Sequence, residues 1–271
     1  MKLKQAYSTR ARQNESKHTG ERVTIDVIDS YVLQRSLKVY NETAKRISGD
    51  LLEIGSGTAY ATGMLAQHVT HLVIVDKFKP YEIMLKQSPN ICFKQMVVPP
   101  LRGIHDSSFD FVISFQVIEH INRDDLFLDE IMRVLKPGGL FFVSTPNIET
   151  TLARNPYHVR EYTLTQFKSL LSSRFEIINS FGIYGDKEVN EYYKANKEAI
   201  QRIRRFDPLD LEHRLPAWLL KIPFDVLNTF NRKRLMKSNR NFIESVSQAS
   251  FFLKEADENA LDFYFIARKP L

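Results

Sequence analysis

Short apolar runs alternate along the chain with longer segments in which apolar positions recur at helical spacing. The runs fall near residues 50–54, 71–75, 91–95, 109–114 and 139–144, and each predicts a buried strand. Two further strands are expected from Phe175 to Gly182 and from Leu261 to Ala267. Strands that alternate with helices are typical of a mostly parallel sheet with helices on both faces. The pattern therefore predicts an α/β fold.

Three other segments flank or interrupt this core. Residues 1–20 are polar and basic without periodicity, and we expect them to be flexible or folded over a ligand, whereas residues 24–47 predict one or two covering helices. A long insertion before the last strand holds an amphipathic helix from Val189 to Phe206 and an apolar cluster from Leu215 to Phe230. We divide the chain into residues 1–48 (arm and covering helices), 49–186 with 241–271 (core) and 187–240 (helical insertion). The insertion is expected to act as a substrate lid, a dimer face or a membrane-surface contact.

The first strand runs directly into a glycine turn. Leu51-Leu52-Glu53-Ile54 is followed by Gly55-Ser56-Gly57-Thr58-Ala59, and the second apolar run ends in Asp76. A strand, a tight glycine turn, a helix and a second strand that ends in a carboxylate form a nucleoside pocket in doubly wound sheets. The glycines allow the backbone to approach the ligand, and Asp76 is placed to accept hydrogen bonds from both ribose hydroxyls.

The spacing after the second glycine decides between nucleoside cofactors. A dinucleotide turn has the pattern Gly-x-Gly-x-x-Gly, which places a pyrophosphate on a helix N-terminus. In this chain the last position of that pattern is Tyr60. Glu53, two residues before the first glycine, suits a cationic ligand better than a phosphate. The pocket is therefore predicted to bind S-adenosylmethionine and not NAD.

Three more motifs follow in order, and together with the glycine turn they carry a family resemblance. They are Ser108-Phe109-Asp110-Phe111-Val112-Ile113-Ser114, then Gln116-Val117-Ile118-Glu119-His120-Ile121, then Met132-Arg133-Val134-Leu135-Lys136-Pro137-Gly138-Gly139. The chain resembles the class I S-adenosylmethionine-dependent methyltransferases, including members of glycan pathways. The resemblance implies a Rossmann-like, doubly wound, seven-stranded sheet whose last strand is antiparallel. It also implies S-adenosylmethionine as cofactor and S-adenosylhomocysteine as product. Ala59 stands where the family usually has a third glycine.

The resemblance also implies where the cofactor binds. It places the binding residues in the glycine turn and after strands two, three and four: Glu53, Gly55, Ser56, Gly57, Asp76, Lys77, Phe78, Met96, Val97, Ser114, Phe115 and Gln116. Phe78 is a candidate to stack on the adenine. Many relatives have an acid after the third strand that holds the adenine amine, but this chain has Met96-Val97-Val98 there. We therefore expect backbone groups and apolar side chains to hold the adenine.

The acceptor side of the site is predicted beyond the fourth and fifth strands. Glu119 and His120 follow the fourth strand, and His158 follows the fifth. An oxygen acceptor of high pKa needs a base or a metal to take its proton, so these three residues are the candidate catalytic set, with a purely structural role for His120 as the alternative. They also resemble the metal-binding set of ubiquinone-pathway and small-RNA methyltransferases. Gln116 replaces a further acid of that set, which disfavours a divalent metal.

The methyl acceptor itself stays open at this level. Arg160 and Tyr162, in a segment that resembles one in glycan-pathway methyltransferases, are candidate substrate contacts, with loop packing as the alternative. The resemblance favours O-methylation of a small molecule or glycan by a monomer or homodimer. The alternatives are a lipid or quinone acceptor at a membrane surface, RNA 2′-O-methylation, and a cofactor-binding scaffold without catalysis. Nucleic acid is disfavoured because no RNA-binding module is recognisable.

Composition narrows the class of protein. The chain has 271 residues, 43% of them hydrophobic, which is enough for one domain or a core with a subdomain. It has no apolar run of membrane-spanning length, no apolar stretch of a signal peptide near Met1, and a single cysteine, Cys92, so a cytoplasmic location is expected. The net charge is +6, and residues 187–240 hold thirteen Lys or Arg against seven Asp or Glu. This surplus favours an acidic substrate, nucleic acid or anionic lipid, unless it is only a solvated helix face.

Overall fold

A computed structural model of the protein describes residues 30–80, 85–86, 88–205, 214–216, 219–221 and 240–271. The described helices are α1 Ser30–Ala44, α2 Thr62–Ala66, α3 Asp124–Val134, α4 Leu164–Ser172, α5 Lys187–Arg204 and α6 Arg240–Ser245. The described strands are β1 Asp50–Ile54, β2 His71–Asp76, β3 Ile91–Gln95, β4 Phe109–Phe115, β5 Leu135–Pro146, β6 Glu176–Gly185, β7 Phe251–Glu255 and β8 Asp262–Arg268. The predicted arm at residues 1–20 and most of the apolar cluster from Leu215 to Phe230 lie outside the described residues.

The described strands form one sheet in the order β3-β2-β1-β4-β5-β8-β6-β7. Strands β1 to β5 are parallel, whereas β8 runs antiparallel to both β5 and β6. The chain leaves β1 toward β2 and β3 on one side, and returns to build β4 and β5 on the other. The ends of β1 and β4 therefore form the topological switch point at which doubly wound sheets bind ligands.

The doubly wound fold with an antiparallel last strand is confirmed, but the strand count was one too low. The additional strand is β7, which pairs antiparallel with β6 at the sheet edge. Only one of its sides is covered, since Phe251 is buried and Phe252 is exposed. It occupies the edge of β6, whose backbone groups would otherwise lack a neighbouring strand.

The segment Lys136-Pro137-Gly138-Gly139 combines a proline, which stops a helix, with glycines that permit a positive φ, and so predicts a turn before the fifth strand. In the structure β5 already begins at Leu135, and the register between β4 and β5 shifts across this segment. Gly138 has a positive φ of 76°, so it supplies the local bend that the predicted turn required. The predicted turn is therefore a local irregularity within β5 and not a separate loop before it.

Helices cover both faces of the sheet. On one face α1 and α2 pack on the strands through Val39, Tyr40, Ala44, Leu65 and Ala66. On the other face α3 and α4 pack through Phe127, Leu128, Ile131, Val134, Phe167 and Leu171. Both sets are buried, which explains why the central strands read as continuous apolar runs. No helix within the described residues combines the length and apolar character needed to cross a membrane.

The described ends of the insertion pack against α1. The Tyr31 ring of α1 lies 5.1 Å from the Tyr192 ring of α5 and 5.7 Å from Phe251 of β7, measured between centroids. Tyr192 also stacks on Phe242 of α6 at 4.7 Å. The Tyr193 hydroxyl donates a hydrogen bond of 2.6 Å to the carbonyl of Thr150, in the loop after β5. These contacts hold α5 beside α1 and join it to the loop after β5.

Candidate functional site

The turn after β1 brings the backbone to the switch point. Gly55, Gly57 and Ala59 have positive φ values of 78°, 60° and 58°. A Cβ on Gly55 would lie 2.3 Å from Cγ2 of Val117, so only glycine fits there. Ala59 adopts the left-handed conformation itself and is 1% exposed. Alanine thus keeps the geometry of the family's third glycine, because its side chain is the smallest that carries a Cβ.

Asp76, at the end of β2, accepts two backbone hydrogen bonds. The Gly57 N–H donates to Oδ2 at 2.9 Å, and the Phe78 N–H donates to Oδ1 at 2.8 Å. These bonds orient the carboxylate and join the glycine turn to the end of β2. Each carboxylate oxygen has capacity for a second hydrogen bond, so Asp76 can still accept two hydroxyls of a ligand.

A cavity opens beside this carboxylate and is termed the Asp76 cavity. Its empty volume is about 800 Å³, mouth included, and it is lined by Gly55, Gly57, Val75, Asp76, Lys77, Phe78, Met96, Val97, Val98, Gln116, Val117, His120 and Ile121. Phe78 and Val97 on its wall are 40% and 73% exposed. A flat apolar ligand bound here would remove both side chains from water, which is favourable.

A second cavity lies between the glycine turn and α1 and is termed the Asp262 cavity. Its empty volume is about 570 Å³, and it is lined by Ser36, Val39, Tyr40, Gly55, Ser56, Gly57, Thr58, Tyr60, Phe115, Gln116, Ser144 and Asp262. Three of its buried polar atoms, Ser56 Oγ, Thr58 Oγ1 and Asp262 Oδ1, have no hydrogen-bond partner within the described part of the chain. Such atoms are costly to bury. They indicate that this cavity takes a polar ligand.

Gln116 belongs to both cavities and stands at the end of β4. Its φ is 56°, a conformation that residues other than glycine rarely adopt. Its backbone N–H donates to the Ser144 carbonyl at 2.9 Å, and its side-chain Nε2 lies 3.4 Å from Ser144 Oγ. Backbone strain of this kind clusters at functional sites, where the surrounding structure sustains it. The two cavities therefore meet at Gln116, whose backbone is held in a strained conformation.

Next to Gln116 the structure brings Glu119, His120 and His158 together. The rings of His120 and His158 are nearly perpendicular, with centroids 4.8 Å apart. One ligand-type atom from each of the three residues lies within 4.8 Å of the others. The N–H of Val159 donates to the Glu119 carbonyl at 2.8 Å, which fastens the segment after β5 to the turn after β4. The proximity that the sequence predicted for these residues results from that contact.

Hydrogen bonds define the tautomers of the two histidines. His120 Nδ1 lies 2.9 Å from the Tyr157 carbonyl, which can only accept, so Nδ1 carries the proton and Nε2 is the basic nitrogen of the neutral ring. His158 Nδ1 lies 2.5 Å from Glu161 Oε1, and its Nε2 lies 2.8 Å from the Asn155 side-chain amide nitrogen. His158 is therefore held in place at both nitrogens. His120 is the better placed of the two to take a proton.

One ligand-type atom from each residue of this cluster could face a single ion, but two features disfavour a divalent metal. Both ring nitrogens of His158 are already engaged, by Glu161 and Asn155. Gln116 offers an amide where the metal-dependent relatives have a further acid, and hard cations bind carboxylate oxygens in preference. The chemistry proposed below therefore uses no metal.

Two buried glutamates border the site. Burial raises the pKa of Glu119 to about 7, although His158 and a hydrogen bond from Thr145 oppose the shift. Burial likewise raises the pKa of Glu53 to about 7, against hydrogen bonds from the Tyr40 hydroxyl at 2.8 Å and the Thr62 hydroxyl at 3.2 Å. Glu53 lines neither cavity and lies beneath the glycine turn. A cation bound in the cavities would stabilise its charged form through space.

Five other predicted residues line neither cavity: Glu119 and His158 of the cluster above, and Ser114, Arg160 and Tyr162. Ser114 is fully buried in β4. The Tyr162 hydroxyl donates to Asp124 Oδ2 at 2.8 Å, and the Arg160 guanidinium pairs with the same carboxylate at the start of α3. Neither Arg160 nor Tyr162 lines a cavity. Their predicted contact with substrate gains no support from these interactions and stays a prediction.

Sequence reasoning did not select several residues that line the Asp262 cavity. Ser36 and Tyr40 come from α1, and Ser144 and Asp262 come from β5 and β8. Asp262 carried one signal, because it is an acid at the start of an otherwise apolar strand. The sequence does not show that this strand end lies near the glycine turn.

Comparison with known proteins places the chain in a family. A methyltransferase domain family matches residues 52–143. A protein of Mycolicibacterium smegmatis described as "Probable S-adenosylmethionine-dependent methyltransferase" is 32% identical over 175 residues, which span 61% of this chain and 68% of that protein. The chain belongs to the S-adenosylmethionine-dependent methyltransferases. A relative of the same description in Mycobacterium tuberculosis is 35% identical over 161 residues, or 56% of this chain and 58% of the relative. The chain thus spans under two thirds of that second relative's length.

More distant proteins agree with this assignment. The mitochondrial ubiquinone biosynthesis O-methyltransferase of Dictyostelium discoideum is 27% identical over 139 residues, 43% of each chain. A methyltransferase structure from Thermotoga maritima has a TM-score of 0.53 at 16% identity and covers 90% of this chain and 91% of that one. A Haloferax volcanii methyltransferase, solved in complex with the Trm112 activator, has a TM-score of 0.52 at 14% identity, with 89% and 94% covered. These structures share the fold.

The methyltransferase is therefore an enzyme that uses S-adenosylmethionine, as the glycine turn and Asp76 predicted.

Proposed function

We propose that this methyltransferase transfers the methyl group of S-adenosylmethionine to a hydroxyl oxygen of a small molecule or glycan. The observation that supports an oxygen acceptor is the state of His120. Its Nδ1 proton is donated to the Tyr157 carbonyl, so the basic Nε2 belongs to a ring that lines the Asp76 cavity beside Gln116. Oxygen acceptors need such a base to take their proton, whereas carbon and amine acceptors depend less on one.

The Asp76 cavity would hold the adenosine of the cofactor, and the glycine-turn side of the Asp262 cavity would hold its methionine end. Asp76 receives the ribose hydroxyls, while Phe78, Met96 and Val97 with the Lys77 stem enclose the adenine. The glycine turn would hold the sulfonium end of the cofactor, and the hydroxyls of Ser56 and Thr58, which have no partner among the described residues, would bind its methionine part. The reacting methyl group would then lie at the wall that the two cavities share, next to Phe115 and Gln116. The negative potential of Glu53 beneath the turn favours the sulfonium cation.

The reaction is an in-line displacement. The acceptor oxygen attacks the methyl carbon, and the carbon–sulfur bond breaks with its electron pair going to sulfur. S-Adenosylhomocysteine leaves as a neutral thioether, and the acceptor proton passes to His120 Nε2. Orientation by the two cavities supplies most of the rate, because the sulfonium is already an activated donor. His158 and Glu119 act by positioning His120.

A quinone-pathway phenol is the second candidate acceptor. The likeness to ubiquinone biosynthesis O-methyltransferases favours it. It requires the same base and the same geometry, since a phenol also loses its proton during transfer. Methylation of catechol but not of sugars would select this alternative.

We also propose that the insertion at residues 187–240 selects the acceptor, while residues 49–186 with 241–271 form the core and residues 1–48 cover the site. Its described part, α5, packs through Tyr192 on Tyr31 of α1, and its Tyr193 is bonded to the loop after β5. Helix α1 in turn lines the Asp262 cavity. Helix α5 thus lies next to the acceptor side, and long inserted segments commonly set specificity.

The substitution His120→Ala tests the proposed function. Turnover should fall by about a hundredfold or more, as expected for loss of a base, while the dissociation constant for S-adenosylhomocysteine stays within about threefold. The matched control is His105→Ala, an exposed histidine between β3 and β4, which should leave both quantities unchanged. Acceptors to assay are methyl hexopyranosides and catechol, with and without a chelator. Near-normal turnover by His120→Ala would contradict a base role, and loss of turnover on chelation would contradict a metal-free reaction.

A further inference from the structure

We propose that Asp262 binds a second hydroxyl group of the acceptor, so that the substrate class is a neutral compound with neighbouring hydroxyls. The inference rests on the proposed O-methylation and adds to it the group that the enzyme recognises beside the reacting oxygen. Three observations carry it: the unused oxygen of a buried carboxylate, its place in the sheet, and its charge partner.

Asp262 is a buried acid with one unused oxygen. Asp262 is 2% exposed and lines the cavity that carries its name. Oδ2 lies 3.0 Å from Arg35 Nε of α1, whereas Oδ1 has no hydrogen-bond partner among the described residues. An ionised carboxylate only accepts hydrogen bonds. The missing partner is therefore a donor, and a ligand in the cavity can supply it.

The sheet places this oxygen on the acceptor side. Strand order around the site is β1-β4-β5-β8, and the cofactor cradle belongs to β1 and β4. Asp262 is the first residue of β8 and pairs with Pro146 at the end of β5. Neighbouring strands are about 4.8 Å apart, so Asp262 lies two spacings, about 10 Å, from the end of β4. A ligand that reaches both the methyl group and Asp262 extends across the end of β5, beyond the methionine.

The ion pair of Asp262 with Arg35 favours a neutral hydrogen-bond donor over a cation. Arg35 already balances the charge of Asp262 and would repel a second cation brought against the same carboxylate. A hydroxyl group donates to Oδ1 without adding charge. The remaining wall combines polar Ser36 and Ser144 with apolar Val39 and Phe115, which suits a ring with hydroxyls on its edge and carbon on its face.

The test compares Asp262→Asn with the wild type on paired probes. The probes are cis-1,2-cyclohexanediol, a methyl hexopyranoside and catechol, each against its single-hydroxyl or deoxy analogue. The matched control is Asp124→Asn, which changes another buried acid that pairs with an arginine but lines neither cavity. S-Adenosylhomocysteine affinity and the unfolding temperature are measured for each protein.

We expect the wild type and Asp124→Asn to prefer the diol of each pair by about tenfold or more, as for a charge-assisted hydrogen bond. Asp262→Asn should lose that preference and keep S-adenosylhomocysteine affinity within about twofold. Weaker S-adenosylhomocysteine binding by a folded Asp262→Asn would show that Asp262 serves the cofactor and would overturn the inference. An unchanged preference would also overturn it, while leaving O-methylation intact. If Asp262→Asn does not fold, the wild type still tests the inference by itself. A wild type that shows no preference for the diols would overturn it. Failure of the wild type to methylate any of these hydroxyls would count against the proposed function itself.

Discussion

The substitution Asp76→Asn gives the sharpest check of the cofactor site. Asparagine keeps the shape of the side chain but replaces one carboxylate oxygen with an NH2 group, which only donates. Because Asp76 accepts from Gly57 N–H on one oxygen and from Phe78 N–H on the other, one of these two donors would then face another donor. The change therefore removes the negative charge under the ribose and loosens one end of the glycine turn.

The expected cost follows from these bonds. A hydrogen bond to a charged group contributes about 1.5–3 kcal/mol, and the ribose hydroxyls lose the charged acceptor in the variant. A total of about 2–3 kcal/mol corresponds to a dissociation constant about 30- to 150-fold higher. The loss should apply equally to S-adenosylmethionine and S-adenosylhomocysteine, since both carry the same adenosine.

Titration calorimetry with S-adenosylhomocysteine measures this difference without turnover. The matched control is Asp50→Asn, because Asp50 begins β1, at the opposite end of that strand, and its carboxylate pairs with Lys136 Nζ at 3.2 Å and with His71 Nδ1 at 2.7 Å. It should bind S-adenosylhomocysteine like the wild type. If a folded Asp76→Asn binds within about threefold of the wild type, Asp76 does not hold the ribose.

Three further predictions concern the cofactor class, pH dependence and the insertion. NAD should give no thermal shift, because Tyr60 occupies the third-glycine position of a dinucleotide turn; a shift equal to that of S-adenosylhomocysteine would contradict this. Burial raises the pKa of Glu53 from 4.5 to about 7, so its contribution to stability is complete below pH 4.5 and is lost as the pH rises through 7, by about 3 kcal/mol. Glu53→Gln should show a flatter pH dependence of the free energy of unfolding, and an unchanged profile would refute it. Replacing residues 187–240 with a short turn should spare S-adenosylhomocysteine binding and abolish methyl transfer; retained transfer would show that the insertion does not select the acceptor.

Some site residues could be predicted because they contact residues that are close to them in the chain. Gly55, Gly57 and Asp76 are set by two strands and one turn, and their contacts join residues about twenty positions apart in the chain. The adenine side was predictable for the same reason, since Phe78 and Met96 directly follow strand ends. Both side chains line the Asp76 cavity, which lies at the ends of neighbouring parallel strands.

Other positions depended on contacts between distant segments. His120 and His158 were named from their places after strands, but their tautomers come from Tyr157, Asn155 and Glu161. Ser114 and Glu53 were expected at the ligand, but both are buried and line neither cavity. A one-residue difference along a strand moves a side chain to the opposite face, and only the register of the sheet fixes that choice.

The sequence by itself determined the fold class, the glycine turn, the carboxylate at the end of β2 and hence the cofactor, because each depends on local periodicity or on residues within one βαβ unit. Only the tertiary structure decided that β7 completes the sheet edge and that the start of β8 lies beside α1. The Arg35–Asp262 pair joins residues from opposite ends of the chain. No local pattern encodes such a pairing, since it results from the order in which strands assemble and from the packing of a helix across them.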